Sequence, residues 1–342
     1  MKRSLSMLLL LALPLALSRC ADPNNEPEPL SSGTFEKALA ILQVQAHAGS
    51  PEARANCIEA VQVSHDPRAR DIIEQGLHDS EWVVRFAAAM SAGQAQAAVV
   101  RPVLNTLVTT DPNLSVRVGC VYALRRLGDE THMNDLAATL ESADPAVRAN
   151  TALVLGKMRD NSAIALLQRH RNDDDVRVRF EITTALARLG DAQAQKVVAS
   201  ESVNKYAEDQ FSAMEVCADL PADLPDQVAV SPLLLGLSDV PAKVPPDMAA
   251  QTEFLTTCRQ LVAARSLAKM KYNNLRAAEL AITNRSNADP RLRALAALAL
   301  GDMLSSREAV TMDQMLDDPD EGVRRAAAAA VVNIYARAAL PK

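Results

Sequence analysis

The chain has 342 residues, a formal net charge of −6 and only 3% aromatic residues, although 49% of it is hydrophobic. A core poor in rings and rich in Ala, Leu and Val suits thin layers of closely packed helices rather than a bulky sandwich, and no stretch reads as a β-hairpin. The acidic balance excludes wholesale attraction to nucleic acid.

Residues 1–19 read as a signal peptide. Lys2 and Arg3 precede the apolar run Leu8–Leu17, which is long enough for a signal-peptide core and too short for a permanent membrane span. Leu17-Ser18-Arg19-Cys20 then resembles the bacterial lipobox, whose cysteine becomes the lipid-bearing first residue of the mature protein. Arg19 departs from that motif, which has a small residue there. Ala16 and Ser18 offer an ordinary signal peptidase its small-residue pair, and that cleavage would leave the chain secreted. Lipidation at Cys20 is the expectation, because the cysteine falls directly between an apolar run and a polar tether. It implies an exported protein of the bacterial cell envelope, facing the periplasm or exterior and held to a membrane by its N-terminal lipid. Residues 20–33 carry Pro, Asn, Glu and Ser with almost nothing to bury, so they form an extended, solvated tether.

From residue 34 to 342 the dominant signal is a repeat. Arg54, Arg85, Arg117, Arg148 and Arg179 recur every 31 or 32 residues, and Arg293 and Arg324 are again 31 apart. A period near thirty marks a stacked array. Three places after each arginine stand Cys57, Ala88, Cys120, Thr151, Ile182, Ala296 and Ala327, and seven places after stand Val61, Ala92, Leu124, Leu155, Leu186, Leu300 and Val331. Offsets of three and seven trace one stripe of an α-helix. Asp144-Pro145 and Asp289-Pro290 write its start, a capping carboxylate followed by a proline in the first turn. Gly128-Asp129 and Gly190-Asp191 write its stop. A shorter apolar run follows each stop, Met133, Leu136 and Leu140 in one repeat and Ile164 and Leu167 in the next, so each unit is a pair of antiparallel helices. One pair cannot bury its stripe alone, and the units must stack into an all-α solenoid.

The segments "DPAVRANTALVLGKMRD" and "VRVGCVYALRRLGD" resemble HEAT-like repeats of the phycobilisome-lyase type, an armadillo-like fold. The resemblance covers Gly49–Asp191 and Ala288–Tyr335. It implies a superhelix of stacked helix pairs.

Between these blocks the phase is lost. Arg179 and Arg293 are 114 residues apart, three periods with an excess. The excess falls in Asp219–Asp247, which Pro221, Pro225, Pro232, Pro241, Pro245 and Pro246 keep from forming one helix. Because Val230–Gly236 is apolar, this insertion at about 219–247 is expected to pack on the solenoid. Helical pattern resumes over Met248–Lys271 and Asn274–Asn284.

The polar features divide into structural and functional candidates. The repeated arginines, Arg54 to Arg324, read either as anion sites or as a structural ladder in which each reaches a capping aspartate of its own or an adjacent repeat. Recurrence in step with the packing residues favours the ladder. Gln251–Arg293 holds eight basic residues against three acidic ones. Within it Arg259, Arg265, Lys269, Lys271 and Arg276 are candidate contacts for an anionic partner, together with the second helices of the central repeats. Trp82 is expected to pack between repeats. Cys57 and Cys120, two units apart, are too far for a disulfide, whereas Cys217 and Cys258 flank the insertion as either two buried thiols or a pair.

Catalytic patterns are missing from the sequence. His47, His65, His78, His132 and His170 are not followed by Glu, unlike the metal-binding dipeptides of deoxyhypusine hydroxylase, a HEAT-repeat iron enzyme, and no two are spaced as a helical metal pair. There is no Gly-x-Ser-x-Gly, phosphate loop or His-Glu-x-x-His, and no cofactor is implied. The expected function is therefore an envelope-anchored scaffold for a protein or peptide partner, not an enzyme and not a nucleic-acid binder. The alternative is a lyase-like enzyme or accessory with a pocket in the concave face beneath the Pro-rich insertion.

Overall fold

Short polar residues placed just ahead of eight helices set their starts. The side chains of Ser50, Asp66, Asn113, Asp144, Asp175, Asn274, Asp289 and Asp320 each accept a bond from a backbone N–H in the first turn that follows, satisfying donors that a helix start otherwise leaves open. In a computed structural model, which describes residues 32–339 apart from 205–206 and 222–223, the elements are α1 (Ser32–Ala48), α2 (Pro51–Val61), α3 (Pro67–Gly76), α4 (Trp82–Gln94), α5 (Arg101–Thr110), α6 (Leu114–Arg126), α7 (Asp135–Thr139), α8 (Pro145–Met158), α9 (Ile164–Arg169) and α10 (Val176–Arg188). They continue as α11 (Ala192–Asn204), α12 (Ala207–Asp219), α13 (Asp226–Ala229), α14 (Ser231–Gly236), α15 (Thr252–Lys269), α16 (Leu275–Asn284), α17 (Pro290–Met303), α18 (Asp313–Leu316) and α19 (Glu321–Ala338). Among the described residues there is no strand. The fold is an all-α solenoid.

Helix ends use one recurrent device. Eleven places after the arginine, Gln96, Gly128, Arg159 and Gly190 all take positive φ, at 49°, 88°, 52° and 92°. Two are glycine, which enters this region freely; Gln96 and Arg159 adopt it against the steric preference of a side chain.

The arginine-bearing helices α2, α4, α6, α8 and α10 pack side by side as one layer, continued by α12, α15, α17 and α19. The shorter helices α3, α5, α7 and α9 lie outside, each against the arginine helix that follows it in the chain, and scarcely against one another. That asymmetry curves the stack, with the arginine helices on the inside. The residues three places after each arginine are all fully buried, from Cys57 to Ala327. Burial of the +7 leucines, Leu124, Leu155, Leu186 and Leu300, contributes about 1.5–3 kcal/mol each by transfer from water.

Some neighbouring inner helices approach more closely than others, and glycine sets which. Gly93, Gly156 and Gly301 stand eight places after their arginines. A Cβ on them would lie 2.8 Å from Ala123 Cα, 2.7 Å from Ala185 Cα and 2.6 Å from Ala330 Cα. The corresponding position on α6 is Arg125, and α6 and α8 stand less closely packed.

The inner layer returns to its own beginning. Helix α19 packs against both α1 and α2. Lys37 Nζ lies 2.7 Å from Asp317 Oδ2, Thr34 Oγ1 donates to Asp313 at 2.8 Å, and Arg325 donates to Gln45 Oε1 at 2.8 Å. The Phe35 and Tyr335 rings pack at a tilt of 33° with centres 5.1 Å apart. The described array is thus closed where α1 meets α19.

The Pro-rich segment supplies α13, α14 and the 3-10 turn Pro246–Gln251. It lies against α11 and α15, with Leu233 fully buried.

Candidate functional site

The arginine ladder has a fixed grammar. Arg54 meets Asp79 through Nε and Nη2, both at 2.8 Å. Arg85 meets Asp111 at 2.7 and 3.1 Å, Arg148 meets Asp173 at 2.7 and 2.8 Å, and Arg293 meets Asp318 at 2.8 Å twice. Each is a bidentate fork, the strongest form of such a pair. Nη1 meanwhile donates to backbone carbonyls five and six residues upstream, Asp79 and Ser80 for Arg85, and Ser142 and Ala143 for Arg148.

The expected partner is corrected by this geometry. The carboxylates are not the N-caps but stand two residues before them, at Asp79, Asp111, Asp173 and Asp318. The ladder aspartates also accept the N-cap N–H: Glu81 N on Asp79, Asn113 N on Asp111, Asp175 N on Asp173 and Asp320 N on Asp318, at 2.8–2.9 Å. The sequence carries this signal as Asp79, Asp111 and Asp173 in the arginines' own period.

Two rungs have another residue at the aspartate position: Ser142 for Arg117 and Asn204 for Arg179. Arg117 has turned, with Nε on Asp111 O at 2.6 Å. Arg179 keeps the ladder orientation, Nη1 donating to Asp173 O at 2.6 Å and Asp174 O at 3.0 Å. Its Nε–Nη2 edge meets no carboxylate among the described residues, and the side chain is exposed.

Arg179 opens into a cavity of about 700 Å³ at the N-terminal ends of inner helices α4, α8 and α10, walled by Trp82, Ala149, Asn150, Val176, Phe180 and Glu181 among others. Trp82 is 38% exposed. It stands at the first turn of α4 and faces this cavity, so the expectation that it packs between repeats is corrected.

Further along the inner face a charged cluster converges. Lys157 on α8 lies within electrostatic reach of Glu59 on α2, Arg188 on α10, Asp219 on α12 and Lys269 on α15. Glu59 and Lys157 are solvent-accessible yet hemmed in by neighbouring helices. That surrounding protein pushes the Glu59 and Glu181 carboxyls above, and the Lys157 ammonium below, their ordinary ranges, since each charged form loses hydration. Arg159 closes the group by donating to Asp219 O at 2.8 Å.

The basic segment is mostly spent internally. Arg259 is buried, its guanidinium bonded to the carbonyls of Gly236, Ser238 and Val240, so it holds the insertion in place rather than facing a partner. Arg265 pairs with Asp302 and Glu215. Arg276 pairs with Asp239 and Glu279. Of the five candidates, Lys269 reaches the inner-face cluster, and Lys271 sits in the turn after α15 with φ 59°. The second helices of the central repeats, proposed as contact elements, form the outer layer instead.

Cys57, Cys120, Cys217 and Cys258 are free, buried thiols. Burial pushes Cys57 and Cys120 up to about 12 and Cys217 and Cys258 up to about 11, removing thiolate chemistry from neutral pH. The space beneath the Pro-rich insertion is about 200 Å³, bordered by Met214, Gly236 and Arg259. Among the described residues no group of three or more His, Cys, Asp or Glu side chains converges as metal ligands. No helix among them is long and apolar enough to cross a membrane. Cys20, the signal peptide and most of the tether lie outside the described residues.

No curated protein matches this chain. Among solved structures it is similar to human deoxyhypusine hydroxylase in complex with glycerol, at 16% identity and a TM-score of 0.34 over 89% of this chain and 98% of that one. It is also similar to the complex of CpcE and CpcF of phycocyanin lyase from Nostoc sp. PCC7120, at 17% identity and a TM-score of 0.41 over 78% and 97%. A family model described as HEAT repeats matches residues 38–125, 102–187 and 133–201. The ladder-bearing helix pairs from residue 38 to 201 thus match the HEAT-repeat model.

Proposed function

We propose that the protein is a recognition scaffold that holds a polypeptide partner on its inner helices without catalysing a reaction, and that it is tethered to the bacterial envelope by lipid on Cys20. The observation that carries the first part is the cavity in front of Arg179. An exposed tryptophan and an arginine fork that meets no carboxylate among the described residues line one cavity, and Trp and Arg are side-chain types that concentrate binding energy in protein interfaces. Their placement at the first turns of packed helices, α4 and α10, pre-organises them.

The test is photo-crosslinking in the native host, with a photoreactive residue at position 82 and, separately, at exposed Val99 before outer helix α5. A discrete adduct from position 82 alone supports the reading; equal adducts from both positions overturn it. Mass spectrometry of the mature N-terminus tests the tether, with diacylglycerol on Cys20 expected and an unmodified or absent Cys20 contrary.

A second reading, an accessory of lyase-like chemistry, has Glu181 in its favour. This carboxyl borders the cavity and burial raises its pKa, the setting of a general acid. The same crosslinking distinguishes it: a small-molecule adduct at position 82 in place of a protein adduct favours the accessory.

A further inference from the structure

The ladder and the cavity together specify the chemistry of the partner. We infer that Arg179 is a vacant rung that takes a carboxylate from outside, an aspartate or glutamate side chain in an acidic, apolar-flanked segment of a partner polypeptide. This deepens the scaffold reading and rests on it.

The geometry is read from the filled rungs. In Arg85, Arg148 and Arg293 two backbone carbonyls hold Nη1, and the Nε–Nη2 edge is thereby aimed at an aspartate carboxylate. Arg179 has the same two-carbonyl anchor at 2.6 and 3.0 Å. Its edge therefore points where the others meet carboxylate, with no rearrangement required. Arg148 is largely covered, its side chain 16% exposed, whereas Arg179 is exposed. Arg324 shares the anchor and Arg117 lacks a carboxylate too, but Arg179 is the one of these three that lines the cavity with Trp82.

The apolar flank comes from a second regularity. The first residue of successive inner helices is Trp82 in α4, Leu114 in α6, Pro145 in α8 and Val176 in α10. Trp82, Leu114 and Val176 are 38%, 40% and 65% exposed. These positions form a row of apolar side chains along the ladder edge, exposed at Trp82, Leu114 and Val176 and half-buried at Pro145, ending beside Arg179. A polypeptide laid along the row would bury apolar side chains and bring a carboxylate to the open fork. Charge complementarity favours a carboxylate at the fork: Arg171, Arg177 and Arg179 outnumber Glu181 and Glu201 around the cavity, and Arg–carboxylate forks are planar and bidentate.

Trp82 is the chain's one tryptophan, so its fluorescence reports this site directly. The experiment titrates the full chain with short, end-blocked peptides centred on Leu-Asp-Leu, Leu-Asn-Leu and Leu-phosphoserine-Leu. The expected result is a saturable Trp82 response to the aspartate peptide, at least about tenfold weaker with the asparagine peptide and weakened to the same degree by Arg179→Lys, which keeps the charge and loses the fork. Because Arg179 meets no carboxylate among the described residues, Arg179→Lys and Arg179→Ala should melt within a degree or so of the parent; the melting temperature is the folding control. Equal affinity for the aspartate and asparagine peptides overturns the carboxylate role while leaving the inner face a peptide-binding surface. Preference for the phosphoserine peptide also overturns it. No response to any peptide overturns this inference and counts against the scaffold reading as well.

Discussion

Arg148 and Asp173 join two adjacent repeats through a planar fork of 2.7 and 2.8 Å in which both side chains are largely covered, and Asp173 at the same time receives the N–H of the next helix's cap, Asp175, at 2.9 Å. One carboxylate thus fixes a helix start and a repeat boundary together. Asp173→Ala should cost about 2–3 kcal/mol, since it leaves a covered guanidinium and a cap N–H without an acceptor. The converse substitution completes an empty rung: Ser142→Asp should return Arg117 to the common orientation and add about 0.5–1.5 kcal/mol. Thermal melts of the two variants check both signs.

The ladder also sets the acid limit of stability. The hydrogen bond from Arg148 holds Asp173, and that from Arg293 holds Asp318, below the usual carboxylate range. A depressed native pKa means that the unfolded chain binds more protons, so stability rises with pH in that interval. The contribution is complete above the unfolded value of about 3.9 and is lost as pH falls through the native ones. Melting temperature followed downward from pH 6 should drop steeply below about pH 4. Arg148→Met should lower the plateau and flatten that drop.

Gly156→Ala and Gly301→Ala set two effects against each other. Alanine favours the helix by about 1 kcal/mol, but its Cβ would lie 2.7 Å from Ala185 Cα or 2.6 Å from Ala330 Cα. Backbone cannot move as a side-chain tip does, so the clash should win, with a net loss of about 1–3 kcal/mol. Denaturant midpoints decide the sign.

The seam between α1 and α19 should behave as one cooperative unit. Phe35→Ala removes the ring packed against Tyr335 at 5.1 Å and should cost about 1–3 kcal/mol. Hydrogen exchange should then speed up in α1 and α19 together, while the α8–α10 pair keeps its protection. Acceleration confined to α1 would count against closure.

How far the fold could be read from residues depends on the range of the determining force. The arginine period, the Asp-Pro starts and the +3 and +7 stripe are local, and they place each helix and its buried face. The ladder is visible as a period in arginine, but its partner is not, because the capping aspartate and the rung aspartate are only two residues apart. The chemistry of Trp82 points to the core, whereas its first-turn position on α4 puts it at the open edge. Arg259 looked like surface charge until Gly236, Ser238 and Val240 turned out to present their carbonyls to it. Closure was illegible for another reason. It depends on small rotations summed over every repeat, set by contacts such as Gly93 on Ala123, and no single residue encodes the total.

A linear stack of repeats can melt inward from either extremity, because a terminal unit has a neighbour on one flank only. Joining α19 to α1 and α2 gives every unit two flanks. The first repeat to come loose must then break two boundaries at once, so fraying gives way to a higher nucleation threshold for unfolding, and local damage at one boundary is carried by the rest of the circuit rather than spreading from an end.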